Sequence, residues 1–193
     1  MRFILASASP RRKELLSLLI KEYEVFSPDI AEEVIGDRPE EIVKALAQQK
    51  AAAVDAENSI VLAADTIVWL DHTVLGKPKS RADAKRMFLA MQGRTHCVYT
   101  GVTLYNTERK AQRTCVACTE VTFLPMAQTE IENYLDKNEY QDKAGGYGIQ
   151  GGAARFVSHI NGCFYNVMGL PVSLIYEMLK AFLSEEEMLL FLK

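Results

Sequence analysis

Apolar and polar residues alternate with two different periods along the chain, and these periods predict helices and strands. Apolar side chains recur every three or four residues in the segments 10–19, 39–54, 80–93, 129–138 and 171–183, which predicts helices. Short apolar or alternating runs predict strands at 3–6, 59–70, 95–105, 112–124 and 155–160. Because helices and strands alternate while two strand-like runs also follow each other directly, the pattern predicts an α/β fold with a mixed sheet.

Capping residues predict where two of these helices begin. Ser80 suits an N-cap, Asp83 lies three residues later as its capping-box partner, and Gly93 is placed to end the helix. Thr129 and Glu132 have the same spacing and predict a second capping box. The fourth helix is therefore expected to be capped by Thr129.

Turn residues predict how two of the strands end. Gly76-Lys77-Pro78 is expected to close the turn beyond strand 59–70. Asn161-Gly162 follows the strand at 155–160, and this dipeptide is typical of tight hairpin turns. The sequence therefore predicts that two strands meet at Asn161-Gly162.

Length, composition and charge narrow the class of protein. The 193 residues are 49% hydrophobic and 24% charged, with a net charge of −3, and these values suit one globular domain over residues 1–193. The first apolar run is too short for a signal peptide, and no run approaches the roughly 18 residues of a membrane span. Basic residues form no patch typical of nucleic-acid binding. We therefore expect a soluble, cytoplasmic protein without a membrane or nucleic-acid partner.

Cysteine and histidine positions do not indicate a metal or redox centre. Cys115 and Cys118 form a C-x-x-C pair, but they lie in a strand-like run that places a three-residue offset on opposite faces. We interpret them as ordinary small side chains. His72, His96 and His159 lack metal-ligand spacing, and the chain contains neither a Walker A sequence nor G-x-S-x-G.

Two charged residues interrupt apolar patterns. Asp65 lies inside the apolar strand 59–70, where a carboxylate costs several kcal/mol unless it is paired or binds a metal. Lys50 continues the apolar stripe of Ile42 and Leu46 at the next position four residues on. Asp65 is either a functional group or a residue exposed at a strand end. Lys50 either meets an anion or extends along the helix end into solvent.

A third segment combines hydroxyl groups with arginines at the start of a helix. Residues 7–12 read Ser-Ala-Ser-Pro-Arg-Arg, with Ser9 suited to the N-cap and Pro10 to the first turn. Arg11 and Arg12 oppose the helix dipole in that turn, and a bound polyanion would explain their position. The alternative is that they are ordinary surface arginines.

The glycine-rich stretch 145–152 matches G-x-G-x-x-G, but its context excludes the dinucleotide-binding fingerprint. That fingerprint follows a strand and opens a helix, whereas this stretch follows a helix and precedes a strand. Five glycines in eight residues still mark a backbone that something approaches closely, and we expect a base or sugar. Gln150 offers both a donor and an acceptor for recognising a base edge.

Together these segments resemble the Maf family of nucleotide pyrophosphatases over nearly the whole chain. The resemblance is carried by the opening Ser-x-Ser-Pro-Arg-Arg at 7–12, the acidic residues Glu32 and Glu33, Ala-Asp-Thr at 64–66, Gly-Lys-Pro at 76–78 and the long glycine-rich segment 143–151. Ala64 stands where the family commonly has glycine, and Gly146 where it commonly has alanine.

The resemblance implies a fold and a reaction. It implies the Maf/inosine-triphosphatase-like fold, a bent mixed β-sheet flanked by helices with a cleft between two lobes. It implies hydrolysis of nucleoside triphosphates between the α and β phosphates, with Mg²⁺ or Mn²⁺ as cofactor and with a homodimer as the usual assembly. Asp65 matches the family's catalytic acid–base position. Arg12, Thr66 and Gln150 match positions that set base preference in the branch acting on dTTP and UTP, including modified uridine triphosphates.

These expectations define a candidate site. Asp65 and Glu32 are expected to hold the metal, and Asp65 is either the general base, a metal ligand or both. Lys50, Lys77, Arg11 and Arg12 are expected to bind phosphates, with Ser7 adding a donor. Two alternatives stay open at this point. One is a purine-type pyrophosphatase acting on 7-methyl-GTP or inosine triphosphate, and the other is a nucleotide-binding regulator of cell division.

Overall fold

The computed structural model describes residues 1–31 and 33–193. Seven strands of this part of the chain form one sheet in the order β2-β1-β3-β5-β6-β7, with β4 paired to β3. β1 is parallel to β2 and to β3, whereas the β3–β4 and β6–β7 pairs are antiparallel. The predicted α/β class with a mixed sheet is therefore confirmed. The strands are β1 Arg2–Ala6, β2 Glu24–Phe26, β3 Ser59–Leu70, β4 Thr73–Leu75, β5 Thr95–Asn106, β6 Ala111–Phe123 and β7 Val157–Asn161.

Seven α-helices accompany the strands in the described residues. They are α1 Pro10–Leu16, α2 Pro39–Ala52, α3 Arg81–Met91, α4 Gln128–Leu135, α5 Phe164–Val167, α6 Val172–Phe182 and α7 Glu185–Phe191. Two 3₁₀ turns, Ala144–Gly146 and Gly152–Phe156, lie in and after the glycine-rich stretch. No helix in the described ranges is long and apolar enough to span a membrane.

The chain folds into two compact units. The first contains Met1–Asp65, Thr100–Ala117 and Gly169–Lys193, and the second contains Thr66–Tyr99 and Cys118–Met168. The first unit holds β1, β2, α1, α2, α6 and α7, while the second holds β4, β7, α3, α4 and α5. The long strands β3, β5 and β6 each contribute residues to both units.

The first unit is built on the parallel strands β1 and β3, whose side chains in this unit are buried apart from Arg2 at the start of β1. Leu5 of β1 and Leu62 of β3 are fully buried and lie opposite each other in the register. Parallel strands need covering on both faces, which explains why both sequences are almost continuously apolar. Gly101 of β5 lies so close to α2 that a Cβ atom there would be 2.2 Å from the carbonyl oxygen of Val43. Only glycine fits this contact between β5 and α2.

The second unit has an aromatic core. Phe88 of α3, Phe123 of β6 and Tyr134 of α4 are almost completely buried, and the Phe88 ring centroid is 4.9 Å from that of Tyr134 and 6.2 Å from that of Phe123. Phe156 packs edge-on against both Phe88 and Tyr134. The cluster joins α3, α4 and β6 with the turn that follows the glycine-rich stretch.

The predicted helix ends are partly confirmed. α3 begins as expected, because the Ser80 hydroxyl accepts from the Asp83 N–H at 3.1 Å, and Gly93 follows its end with a φ of +68°. The other half of the predicted capping box is wrong, since the Asp83 carboxylate accepts from the Lys79 N–H at 3.0 Å. The capping box predicted at Thr129 and Glu132 is wrong. α4 begins two residues earlier, where the Glu130 carboxylate accepts from the Ala127 N–H at 2.8 Å. Glu132 instead forms an ion pair with Arg81.

Two further sequence expectations need correction. α1 ends at Leu16 rather than at residue 19, because the Ser17 hydroxyl donates to the carbonyl of Glu14 at 2.7 Å and the chain then tightens into turns. The hairpin expected at Asn161-Gly162 does not form, since the short helix α5 follows β7 instead of a strand. The Cys163 N–H donates to the Thr119 hydroxyl at 3.1 Å, which holds the start of α5 beside β6.

Candidate active site

Lys50 and Asp65 form an ion pair in the first unit. Lys50 lies in the last turn of α2, on the face that also carries the buried Ile42 and Leu46, and its ammonium group contacts Oδ1 of Asp65 on β3. The two side chains are only 14% and 13% exposed. Lys50 therefore does not extend into solvent, and Asp65 is not an exposed strand end. Both sequence anomalies have the same structural cause, because each residue is the other's counter-ion.

The charge pair is a costly arrangement for a structural role. Two ions removed from water lose hydration that their mutual attraction repays only in part, and a pair of apolar side chains would often be as stable. Oδ2 of Asp65 makes no hydrogen bond to the described residues, which leaves a carboxylate oxygen able to bind a water or a cation. The pair is therefore a candidate for a functional rather than a purely structural role.

Ser7 and Arg12 form a second polar cluster in the first unit. Nη1 of Arg12 donates to the Ser7 hydroxyl at 3.3 Å, and Nε donates to the carbonyl of Gly169 at 2.9 Å. Ser7 is 6% exposed and also accepts from the Ser9 N–H at 3.3 Å. These contacts fix the plane of the guanidinium, a group suited to phosphate oxygens. Arg11 lies half-exposed in the first turn of α1.

Glu33, the chain neighbour of the predicted metal ligand Glu32, is bonded to α2. The side-chain amide of Gln49 accepts from the Glu33 N–H at 3.0 Å and donates to the Glu33 carbonyl at 2.8 Å. Glu32, the second predicted metal ligand, lies outside the described residues. Gln49 precedes Lys50 in α2, and the sequence pattern did not indicate it. Its side chain holds Glu33, the residue that follows Glu32 in the chain.

The described residues allow a limited test of the metal expectation. Among them, no three His, Cys, Asp or Glu side chains come together as a metal-binding group, and the four cysteines are free thiols. Mg²⁺, however, is usually held by one or two carboxylates together with substrate phosphates and waters rather than by an all-protein cage. Asp65, with Oδ2 available, supplies one such carboxylate. The residues present therefore fit a cation that binds together with a phosphate-bearing ligand.

The remaining predicted site residues lie in the second unit. Thr66 is half-buried on β3, and Lys77 is exposed in the turn after β4. Lys77 lines a depression of about 280 Å³ together with Lys79, Tyr140 and Asp142. The Gly145 N–H donates to the Gly76 carbonyl at 3.0 Å, so the turn that carries Lys77 is joined directly to the glycine-rich stretch.

The glycine-rich stretch is close-packed by the protein's own side chains. Gly145 and Gly146 have φ angles of +69° and +72°, a region that favours glycine. A Cβ atom on Gly148 would lie 2.9 Å from Cε of Lys143, and one on Gly151 would lie 2.5 Å from Oε2 of Glu139. At Gly148 and Gly151 the protein's own side chains thus lie where a Cβ atom would be, and the approach of a base or sugar to this backbone stays a prediction.

His96 and Tyr147 form a buried pair beneath this stretch. Nε2 of His96 is 2.7 Å from the Tyr147 hydroxyl, His96 is 1% exposed, and both rings pack edge-on against Phe123. Burial lowers the pKa of His96 to about 4 and raises that of Tyr147. Both side chains are therefore neutral at pH 7, and they join β5 to the glycine-rich stretch without a buried charge.

This pair predicts an acid-dependent loss of stability. Between pH 6.5 and about 4, His96 is protonated in the unfolded chain but neutral in the folded one, so the free energy of unfolding falls as the pH falls. From pH 7 to 5.5 this group alone is expected to remove about 1 kcal/mol. Urea unfolding at both pH values should show a smaller loss for His96→Asn than for the unchanged protein. The exposed His159→Asn serves as control, and an unchanged loss in His96→Asn would contradict the prediction.

Comparison with known proteins decides the family. A profile of the family described as Maf-like protein matches residues 2–182. The chain belongs to the Maf family. Curated Maf relatives named dTTP/UTP pyrophosphatase include a Bacillus cytotoxicus protein, 51% identical over 94% of this chain and 95% of the relative. Another from Carboxydothermus hydrogenoformans is 44% identical over 93% and 98%, and one from Latilactobacillus sakei is 47% identical over 92% and 99%.

Membership of the Maf family confirms the resemblance drawn from the sequence motifs. The seven-stranded mixed sheet with flanking helices agrees with the Maf fold. The residues that the motifs did not reveal are Gln49, Glu139 and His96, which hold motif segments rather than belong to the candidate chemistry. None of the three belongs to a recognisable sequence motif. Each is identified as a supporting residue only by its hydrogen bond to a backbone or side-chain group that is distant in the sequence.

Proposed function

We propose that this Maf protein hydrolyses dTTP and UTP, and modified uridine triphosphates, to the nucleoside monophosphate and pyrophosphate. The observation that carries the proposal is the Lys50–Asp65 pair, a buried carboxylate whose Oδ2 makes no hydrogen bond within residues 1–31 and 33–193, in a chain whose relatives are named for this activity. In this role the protein removes unwanted nucleotides from the cytoplasmic pool.

The reaction requires a positioned water and neutralised phosphate charge. Water attacks a phosphorus of the α–β bridge, the bridging P–O bond breaks, and pyrophosphate leaves; transfer of this kind depends mainly on positioning and electrostatic stabilisation. Oδ2 of Asp65 accepts the proton of the attacking water or binds the cation that carries it. Lys50 holds the carboxylate in place through Oδ1 and adds positive charge beside it.

Phosphate binding is assigned to the cationic side chains. Arg12 is suited to this role because Ser7 and Gly169 fix its guanidinium before a ligand arrives, which reduces the entropy lost on binding. Arg11 and Lys77 add charge, and Thr66 and Gln150 are assigned to the base and sugar. A divalent cation, Mg²⁺ or Mn²⁺, held by Asp65 and Glu32, supplies charge neutralisation on the phosphates when bound.

The homodimer that the resemblance implies belongs to the same proposal. β2 lies at the end of the strand order, and its Val25 and Phe26 side chains are 45% and 41% exposed. An exposed apolar edge strand offers unpaired backbone groups to a strand of another chain, which supports a dimer through this edge. Sedimentation equilibrium of the purified protein measures the mass directly, and a monomer at micromolar concentration would contradict this part.

A nucleotide panel tests the function. The purified protein is incubated with dTTP, UTP, CTP, dGTP, inosine triphosphate and 7-methyl-GTP, with Mg²⁺ or Mn²⁺, and released pyrophosphate and phosphate are measured separately. We expect pyrophosphate as product and a kcat/KM for dTTP and UTP at least about tenfold above that for purines, which corresponds to about 1.4 kcal/mol.

Two outcomes would contradict the proposal. Equal or faster release from 7-methyl-GTP or inosine triphosphate would indicate a purine-type pyrophosphatase. Tight binding of UTP with Mg²⁺ but no release of pyrophosphate would favour a nucleotide-binding regulator.

A further inference from the structure

Gln150 projects from a loop whose two ends are held by side chains of the preceding segment. The residue is exposed, and its amide makes no hydrogen bond within the described ranges. On one side, the Gly148 N–H donates to the Tyr134 hydroxyl at 3.3 Å. On the other side, the Gly152 N–H donates to Oε2 of Glu139 at 2.6 Å. The side-chain amide is thus open to a ligand, while the backbone on both sides is restrained.

The contact with Glu139 is the closer of the two. Cβ atoms added to Gly151 and Gly152 would lie 2.5 Å and 3.1 Å from its carboxylate oxygens, so both glycines are needed for Glu139 to reach the backbone. A carboxylate that accepts from a backbone N–H forms a charge-assisted bond, about twice as strong as a neutral one. The Gly151 N–H also donates to the Gly148 carbonyl at 3.0 Å, which closes the turn around Gln150.

Tyr134 connects the same loop to the aromatic core. Its ring is fully buried against Phe88 and Phe156, and burial raises the pKa of its hydroxyl to about 12. The neutral hydroxyl accepts from Gly148 and donates to the Gly146 carbonyl at 3.5 Å. The loop position is therefore fixed relative to a rigid packed cluster rather than to another loop.

We propose that Glu139 and Tyr134 are positioning residues that set the base selectivity of the enzyme by holding the loop of Gln150. The inference rests on the proposed function, in which Gln150 recognises the pyrimidine base. An amide distinguishes bases only when its donor and acceptor stay in register with the base edge, and a loop displaced by an ångström loses that register. The two side chains act through the backbone of Gly148 and Gly152 and do not touch the substrate.

The test compares selectivity rather than activity alone. For Glu139→Ala, we expect the ratio of kcat/KM for UTP to that for GTP to fall about tenfold, mainly through a higher KM for UTP. Glu139→Gln keeps an oxygen that accepts from Gly152 and is expected to retain most of the ratio. Tyr134→Phe keeps the buried ring and removes only the hydroxyl, so a fall of about threefold is expected.

Controls separate a positioning role from a general loss of structure. Glu108→Ala removes an exposed carboxylate from the turn between β5 and β6 and is expected to leave the ratio unchanged. Binding of a UTP analogue with a methylene group between the α and β phosphorus atoms is measured by calorimetry, beside the matching GTP analogue. In Glu139→Ala, weaker binding of the UTP analogue alone is expected.

The outcomes distinguish this inference from the proposed function. If the unchanged protein releases no pyrophosphate from UTP, the proposed function fails. If it does so and both Glu139→Ala and Tyr134→Phe keep the selectivity ratio, the positioning role is overturned. An equal loss for UTP and GTP in both variants, at unchanged ratio, would also overturn it. Should Glu139→Ala fail to fold, Tyr134→Phe and Glu139→Gln still provide the comparison.

Discussion

Asp65→Asn is expected to lower kcat for UTP hydrolysis by about 100-fold to 10,000-fold, the range typical of losing a catalytic acid–base group. Asparagine has nearly the same shape, and its carbonyl oxygen can still accept from Lys50. It cannot, however, take a proton from water, and it is a poor ligand for a divalent cation. Steady-state rates of pyrophosphate release at saturating UTP measure the loss.

A matched control separates chemistry from folding for this substitution. Asp55→Asn removes an exposed carboxylate from the loop after α2, in the same unit as Asp65, and is expected to leave kcat unchanged. Cooperative urea unfolding and the circular-dichroism spectrum of Asp65→Asn should resemble those of the unchanged protein. A folded Asp65→Asn variant with more than a tenth of the normal kcat would remove Asp65 from the catalytic role.

Gly101→Ala is expected to lower the free energy of unfolding by about 3 kcal/mol, the upper part of the range for overpacking a well-packed core. The added Cβ would lie 2.2 Å from the Val43 carbonyl oxygen and 3.0 Å from the Lys44 amide nitrogen, both backbone atoms of α2. A backbone cannot rotate aside as a side chain can, so α2 has to move away from β5. Urea unfolding at pH 7 measures the change.

The same substitution is expected to reduce activity although Gly101 does not belong to the candidate site. α2 carries Lys50, and displacement of the helix alters the contact with Asp65 that holds the carboxylate. We expect kcat/KM for UTP to fall about tenfold or more. Gly76→Ala provides the stability control, because a Cβ there has no neighbour within 4 Å. Equal unfolding free energies for the two variants would show that β5 and α2 tolerate the closer approach.

Much of the fold could be predicted from the sequence, because apolar residues follow a regular pattern in elements that are buried along their length. β3 was predicted at 59–70 and is found there, since a strand covered on both faces is apolar over its whole length. The errors concern local backbone hydrogen bonds. Both Thr129 and Glu130 suit a helix start, and only the hydrogen bond that the Ala127 N–H donates to the Glu130 carboxylate decides between them. Asn161-Gly162 suits a hairpin only if a strand follows, which the dipeptide itself does not determine.

In the candidate site, the sequence predicted the charged residues of the proposed chemistry but not the residues that hold the surrounding backbone in place. Asp65 and Lys50 could be noticed because a charge in an apolar pattern is rare, and their pairing explains both anomalies. Glu139 and Gln49 could not be noticed, because a glutamate in a polar turn and a glutamine on a helix are common. Their importance depends on backbone groups 13 and 16 residues away in the sequence, a relation that no local pattern contains.

The packing of Glu139 against Gly151 and Gly152 also has a consequence for protein engineering. The glycines and the carboxylate occupy one another's space, so neither can be changed independently of the other. A replacement loop with a side chain at residue 151 or 152 would displace the Glu139 carboxylate and leave the backbone N–H of residue 152 without that acceptor unless residue 139 were exchanged with it. On the proposed role of Gln150, the smallest transferable unit of base recognition is therefore the continuous segment 134–152, with the Tyr134 hydroxyl and the Glu139 carboxylate included, rather than the loop alone.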